Sequence, residues 1–211
     1  MFQAVVGRYL SHTMGESAEE PTEKTSARRE ELAAAAAELL VVRGLSDMSL
    51  RAIAAALGTS HRMLLYYFSS RDDLIADALD HARERYLSDL DLALSGGPEG
   101  VVPLAARLWE FLAEERSQLH VRLQLQAWSR SFADPDTYAR MLSATGDLRP
   151  RIEVALKADG MEFASAGCWA TLIQASLYGL MLDLQSGVDR SAVDASFATL
   201  VSMVDSVITH R

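Results

Sequence analysis

The chain has one cysteine in 211 residues, Cys168, so it cannot form an internal disulfide bond. No run of about 18 residues is both apolar and free of charge, which predicts that no helix spans a membrane. The first 14 residues are too short and too polar to be a secretory signal. These absences favour a protein of the reducing cytoplasm.

The sequence also lacks the residue arrangements on which most enzymes depend. Its five histidines do not pair at the spacing of metal ligands. Gly96 and Gly97 precede a proline and have no lysine nearby, so they do not form a phosphate-binding loop. These observations predict no catalytic residue, no cofactor and no metal site.

Charges of the two signs lie in different parts of the chain. The net charge of −9 at pH 7 argues by itself against binding to nucleic acid. Residues 24–71, however, carry a net charge of +3, whereas residues 72–211 carry −9. The acidic part would therefore orient the basic segment towards DNA. Lys24, Arg28 and Arg29, at the start of the basic segment, either contact phosphate or keep the chain soluble.

Residues 49–74 are the most informative segment of the sequence. Two short helical patterns, residues 50–57 and 61–68, meet at Gly58, which tolerates the left-handed conformation at a helix end. Ser60 is a suitable N-cap for the second helix. Two helices joined by so tight a turn predict a helix-turn-helix, whose second helix can enter the major groove of DNA.

Beyond this motif every segment has the pattern of a helix, and no segment alternates as a strand does. A first helix is predicted from Ser26, a suitable cap, to Arg43. The clearest break is SGGPEG at residues 95–100. The other predicted helices cover residues 71–94, 98–112, 118–132, 135–156 with a kink near Pro150, 162–186 and 191–209.

Residues 28–74 resemble the tetracycline-repressor (TetR) family of bacterial transcription regulators. The resemblance rests on an amphipathic first helix that breaks at Gly44 and on a set of spaced residues: Ser49, Ile53, Ala54, Gly58, Ser60, Leu64, Phe68, Arg71 and Leu74. One position departs, because Leu65 stands where the family usually has a tyrosine that holds a phosphate. The resemblance implies an all-α protein with a three-helix head and a ligand-binding, dimerising body of about six helices.

The predicted DNA-binding residues lie on both helices of the motif. An arginine can bind guanine through two hydrogen bonds, and the start of a recognition helix faces base edges. Aromatic and cationic residues at its end match family positions that hold phosphate. The predicted set is Ser49, Arg51, Ser60, His61, Arg62, Met63, Tyr66, Tyr67 and Arg71. For Arg51 a solvated charge, and for one of the two tyrosines packing beneath the next helix, remain alternatives.

The last two predicted helices have apolar surface on more than one side. Small residues allow a second helix to approach closely, and a four-helix bundle between two chains would bury both helices. The predicted interface consists of Cys168, Thr171, Ala175, Gly179, Phe197, Leu200 and Val204. The TetR resemblance implies the same dimer, and a larger core within one chain is the alternative.

Large residues of the helical remainder are plain core in most helical domains. The TetR resemblance implies that some of them line a ligand cavity, where polar groups would orient the ligand. The predicted cavity residues are Trp109, Gln124, Trp128, Tyr138, Met141, Trp169 and Ile173. His120 and Gln174 lie among apolar neighbours and could also take the polar role.

The sequence therefore predicts a flexible arm at residues 1–24, a DNA-binding domain at 25–71 and a ligand-binding and dimerisation domain at 72–211. The expected protein is a homodimeric transcription repressor that leaves a palindromic operator when a small, partly apolar effector binds. A helical enzyme with an incidental helix-turn-helix, or a dimeric interaction protein without a cavity, is the alternative.

Overall fold

Nine α-helices make up the computed structural model of the chain, which describes residues 23–45, 49–96, 100–132 and 148–210. Within these ranges there is no strand, and the predicted all-α fold is confirmed. In chain order the helices are α1 (Glu23–Arg43), α2 (Leu50–Ala56), α3 (His61–Tyr67), α4 (Arg71–Leu94), α5 (Val101–Ala113), α6 (Glu115–Ser131), α7 (Leu148–Ala158), α8 (Phe163–Gln185) and α9 (Arg190–Thr209).

The turn between α2 and α3 has the local structure that its sequence predicts. The Ser49 hydroxyl accepts a hydrogen bond from the Ala52 amide at 3.2 Å, and this bond caps α2. The Ser60 hydroxyl accepts one from the Met63 amide at 3.1 Å, which caps α3. Gly58 lies between them at a φ of +64°, where only glycine avoids a steric penalty.

The first helix starts earlier than the sequence predicts. Since α1 already includes Glu23, Ser26 lies inside the helix, and its predicted capping role is wrong. The physical reason is that glutamate, lysine and threonine at residues 23–25 can all continue a helix, so nothing there ends it. Residues 1–22, the greater part of the predicted arm, lie outside the described residues.

The two body prolines that the structure describes, Pro103 and Pro150, lie in the first turn of a helix and do not interrupt it. α5 begins at Val101, and Pro98, its predicted start, lies outside the described residues. Pro150 is the third residue of α7, in the first turn, where its missing amide would have no helical partner. The predicted helix start at residues 134–135 also lies outside the described residues.

Two apolar clusters organise the fold. The first, here called the head core, joins buried residues of α1, α2, α3 and the first turns of α4 with Leu123 and Ala127 of α6. The second, the body core, joins buried residues of α5 to α9 with Leu90 of α4 and Val121 of α6. Packing of the head therefore continues beyond residue 71, and α4 and α6 each contribute to both cores.

The last helix is apolar but only partly buried. By length and composition α9 could cross a membrane, with a mean hydropathy of 1.4 over its most apolar 18 residues, of which 17% are buried. One such helix is weak support for a membrane span. One side of α9 packs into the body core through Val193, Phe197 and Val204, and the opposite side is exposed.

Candidate nucleic-acid interface and body cavity

Apolar side chains on one face of the helix-turn-helix anchor its two helices in the head core. Ile53 and Ala54 of α2 and Leu64 of α3 are buried in the head core, and so is Phe68 just after α3. Burial of this face leaves the other face of both helices towards solvent. The exposed face is therefore presented on a rigid support.

All nine predicted DNA-binding residues lie at least partly exposed around this surface. Six are exposed: Ser49, Arg51, Ser60, Arg62, Met63 and Tyr66. His61, Tyr67 and Arg71 are half-buried. Tyr67 packs against the head core and meets the Tyr66 ring edge-on, with 4.9 Å between the ring centroids. Of the two tyrosines, Tyr66 is thus the one whose ring is mostly free to reach a phosphate, at 69% exposure.

Arg29 joins three parts of the head, a role that the sequence did not reveal. Its guanidinium donates to the Tyr67 carbonyl at 2.5 Å, to Asp73 Oδ1 at 2.8 Å and to Asp77 Oδ2 at 2.9 Å. It also lies over the Phe68 ring, 4.6 Å from the centroid. Arg29 therefore ties α1 to the end of α3 and to the first turns of α4, instead of pointing outward to phosphate or solvent.

The carboxylate of Asp73 is ionised within this network. Burial opposes its ionisation, but hydrogen bonds from Ser69 and from Arg29 outweigh that effect, so the pKa of Asp73 is lowered. Asp73 also accepts from the Ser69 amide at 2.8 Å. The connection between α3 and α4 is thus held by a charged pair and not by apolar packing alone.

A cavity of about 50 Å³ lies inside the body, between α4, α6 and α8. Most of its wall is apolar. Its lining is Ala82, Arg83, Tyr86, Leu87, Leu90, Leu112, His120, Val121, Gln124, Leu148, Leu177, Tyr178 and Met181. An apolar wall with a few convergent polar groups is typical of a small-molecule site.

His120 is the most unusual polar residue of this cavity. It is 8% exposed, and its Nε2 has no hydrogen-bond partner among the described residues. Burial, and then the charge of Arg116, lower the pKa of His120 to about 4, so the ring is neutral at pH 7. Burial, followed by Tyr178, raises the pKa of the neighbouring Tyr86, which keeps its proton. A buried polar atom without a partner is costly, and a bound molecule could supply that partner.

The predicted ligand residues fall in different places. Gln124 lines the cavity beside His120, and the Trp128 ring meets Tyr178, a lining residue, at 5.0 Å between centroids. The Nε1 of Trp128 is buried and has no hydrogen-bond partner in the described part of the chain. Ile173 lines a second, wholly apolar cavity of about 30 Å³.

None of the three tryptophans lines either cavity, although Trp128 contacts a lining residue of the larger one. Trp109 stacks on Phe197, with 4.4 Å between centroids, and its Nε1 donates to Asp194 at 2.8 Å. Trp169 lines an open groove between α8 and α9 on the outside of the molecule. Tyr138 and Met141 lie outside the described residues. Tyr86 and Tyr178 were missed, because helical periodicity does not show which aromatic residues face a void.

The predicted dimer residues divide between the surface and the core. Cys168, Thr171, Ala175 and Gly179 form an exposed stripe along α8. The predicted outward role of the three α9 residues is corrected: Phe197 and Val204 are buried in the chain's own body core, and Leu200 lines the second cavity. The reason is that α9 has a single bulky stripe, which its own chain buries. The exposed side of α9 carries Thr199, Ser202, Met203 and Ser206.

Comparison with known proteins gives a family match for the head and structural matches for the whole fold. Residues 32–78 match the family model of the bacterial regulatory proteins of the tetR family. No match was found among curated protein sequences. Among the described residues, no group of three or more His, Cys, Asp or Glu side chains could hold a metal ion.

Solved structures are similar over most of the chain. A transcriptional regulator from Rhodococcus sp. is 21% identical with a TM-score of 0.69, covering 83% of this chain and 95% of that one. A protein from Saccharomonospora viridis in complex with choline is 20% identical with a TM-score of 0.69, covering 85% and 96%. The multidrug binding protein EbrR, complexed with imidazole, is 23% identical with a TM-score of 0.52, covering 82% and 94%. At these identities the likeness shows a shared fold.

Proposed function

We propose that the chain, whose residues 32–78 match the tetR family model, is a homodimeric, DNA-binding transcription repressor released from a palindromic operator by a small, partly apolar effector. The observation that carries the effector half of this proposal is the body cavity with the unpartnered Nε2 of His120. Action on DNA assigns the protein to the cytoplasm.

The exposed face of α2 and α3 contacts the DNA. In this proposal Arg51, His61 and Arg62 contact base edges, and Met63 touches a thymine methyl group. Tyr66 and Arg71 hold phosphate, which fixes the position of the head without reading sequence. Support comes from the serine caps and the buried apolar face, which hold the two helices in one orientation.

The exposed stripe of α8 and the exposed side of α9 form the dimer interface. The small residues of α8 leave no side chain in the path of a second helix, and Met203 and Trp169 supply apolar contact beside them. Two copies related by a two-fold axis would bury both surfaces and carry two heads. A symmetric pair of heads reads an inverted repeat.

The effector binds in the cavity between α4, α6 and α8. The wall favours an apolar molecule, and His120 and Gln124 favour one that also has a hydrogen-bonding group. The cavity is small, so the effector enlarges it on binding, and the difference in affinity for the two shapes is what changes DNA binding. Two proteins of similar fold are complexed with choline and with imidazole, which supports a small-molecule effector.

The test is selection of bound sequences from random double-stranded DNA by the purified protein. The proposal predicts enrichment of an inverted repeat, bound by one dimer. Enrichment of no sequence, or of a single half-site bound by a monomer, would contradict it.

A further inference from the structure

We propose that α6 couples the cavity to the DNA-binding head through Gln126 and Arg130, which hold the backbone at Leu45 between α1 and α2. This inference rests on the proposed function and adds a second route of regulation to the continuous helix α4. Gln126 and Arg130 are positioning residues, because they touch neither DNA nor effector and act through the turn that they hold.

Leu45 is held on both of its backbone groups by side chains of α6. Its amide donates to Gln126 Oε1 at 2.7 Å, and its carbonyl accepts from Arg130 Nη2. Its own side chain is 1% exposed in the head core. A backbone position with both polar groups and its side chain engaged has little freedom to move independently of its partners.

The Gln126 side chain lies so close to Gly44 that no other residue would fit at position 44 unless Gln126 moved. The φ of Gly44 is +76°, and a Cβ built there would lie 2.6 Å from Gln126 Oε1. The Gln126 amide therefore lies directly against the backbone where α1 ends. Leu45 is separated from Ser49, the cap of α2, by only three residues, so the position of Leu45 limits where α2 can begin.

The same helix forms part of the cavity wall. His120, Val121 and Gln124 line the cavity, whereas Leu123 and Ala127 are buried in the head core. Gln124 and Gln126 project about 200° apart around the helix, and His120 to Arg130 spans about 15 Å. One short rigid element thus meets the cavity on one side and the turn before α2 on the other.

The mechanical consequence follows from this placement. An effector that pushes His120 or Gln124 outward shifts or rotates α6, and α6 cannot move without pulling on Leu45. The head then turns relative to α4, which changes the spacing of the two heads on the operator. Packed elements of this kind move between discrete arrangements and so carry coupling over such distances.

The coupling is tested without knowing the effector by filling the cavity with Gln124→Phe. We expect this variant to weaken binding to the selected operator by about 5- to 150-fold, the usual range of coupling between two sites. We also expect faster hydrogen exchange at the Leu45 amide. In a Gln126→Leu/Arg130→Met background, compared with that background alone, Gln124→Phe should change neither measurement.

Matched variants separate coupling from damage to the fold. Arg122→Met, another change on α6, removes a long hydrogen bond of 3.3 Å from Arg122 to the Val42 carbonyl of α1 and should leave the effect of Gln124→Phe intact. Gln126→Glu keeps the acceptor for the Leu45 amide and should also leave it intact. If the double background does not fold, Gln126→Leu against Gln126→Glu makes the same comparison.

The inference is overturned if Gln124→Phe has the same effect with and without the two α6 side chains, or no effect in the wild-type background. The hydrogen-exchange measurement needs no DNA. A protein that selects no operator therefore refutes the proposed function, whereas an unchanged Leu45 amide refutes the coupling.

Discussion

Individual residues of the same type lie in opposite environments in the head. Arg62 is exposed on α3, while Arg29 is turned inward to Tyr67, Asp73 and Asp77. Sequence alone predicts that Arg62 lies at the start of α3, because it follows the recognisable cap Ser60. It does not separate Arg29 from Arg28, because the partners of Arg29 lie more than 35 positions away, at 67, 73 and 77.

Replacement of Arg62 by alanine should weaken binding to the selected operator by about 1–3 kcal/mol, because a base contact of that size is lost. The loss should depend on the base pair at one operator position. Arg85→Ala, an exposed change on α4 remote from α3, is the control and should leave affinity unchanged. Equal affinity of the Arg62 variant and wild type in fluorescence anisotropy would remove Arg62 from the interface.

Replacement of Arg29 by methionine should lower the free energy of unfolding by about 1–3 kcal/mol, since it breaks charge-assisted hydrogen bonds at partly buried carboxylates. The salt dependence of DNA binding should keep its slope, because no phosphate contact is lost. Arg28→Met removes only an exposed pair with Glu31 and should cost less than about 0.5 kcal/mol. A flattened salt dependence in the Arg29 variant would show that it does contact phosphate.

Acid should destabilise the protein through His120 before most carboxylates titrate. Its folded pKa of about 4 lies below the ordinary 6.5, so the unfolded chain binds the proton more readily. The stability present above pH 6.5 is therefore lost progressively as the pH falls towards 4. His120→Gln cannot take up that proton and should lose less stability over this window in urea unfolding. Parallel pH profiles for the two proteins would contradict the buried, neutral histidine.

At the scale of helices, the sequence predicted element types well and partners less well. Caps and glycines are local signals, so the turn around Gly58 and the serine-capped starts of α2 and α3 were predictable. No local signal in the sequence shows whether an apolar stripe is buried by its own chain or by a second chain. The bulky stripe of α9, with Phe197 and Val204, has the same period whether its own chain or a second copy covers it.

Gly179→Leu should shift the protein from dimer to monomer in sedimentation, with weaker operator binding. A Cβ at Gly179 would meet nothing within 4 Å in the single chain, so the monomer should retain its melting temperature. Phe197→Ala should instead destabilise the single chain, lowering its free energy of unfolding by about 3–5 kcal/mol, because it leaves a void in the body core. A stable Gly179→Leu dimer would place the interface elsewhere.

At the scale of the whole molecule, the head and body are not separated by a linker. α4 and α6 run from the head core to the body core, and α6 also holds the turn at Leu45. The sequence predicted a domain boundary at residue 71 from local patterns. It could not show that Leu123 and Ala127 pack into the head, because contacts so distant in sequence have no local signature. A body in continuous contact with its head is suited to coupling between effector and DNA.

The most direct test of that coupling is a titration in which effector and operator binding are followed in one sample. An effector found by thermal-shift screening is added to the protein–operator complex of a Trp109→Phe/Trp169→Phe variant, which leaves Trp128, beside the cavity, as the reporter. Indole fluorescence and the anisotropy of labelled operator are recorded together. We expect saturable quenching and release of DNA over the same concentration range. Complete quenching while the operator stays bound would contradict it.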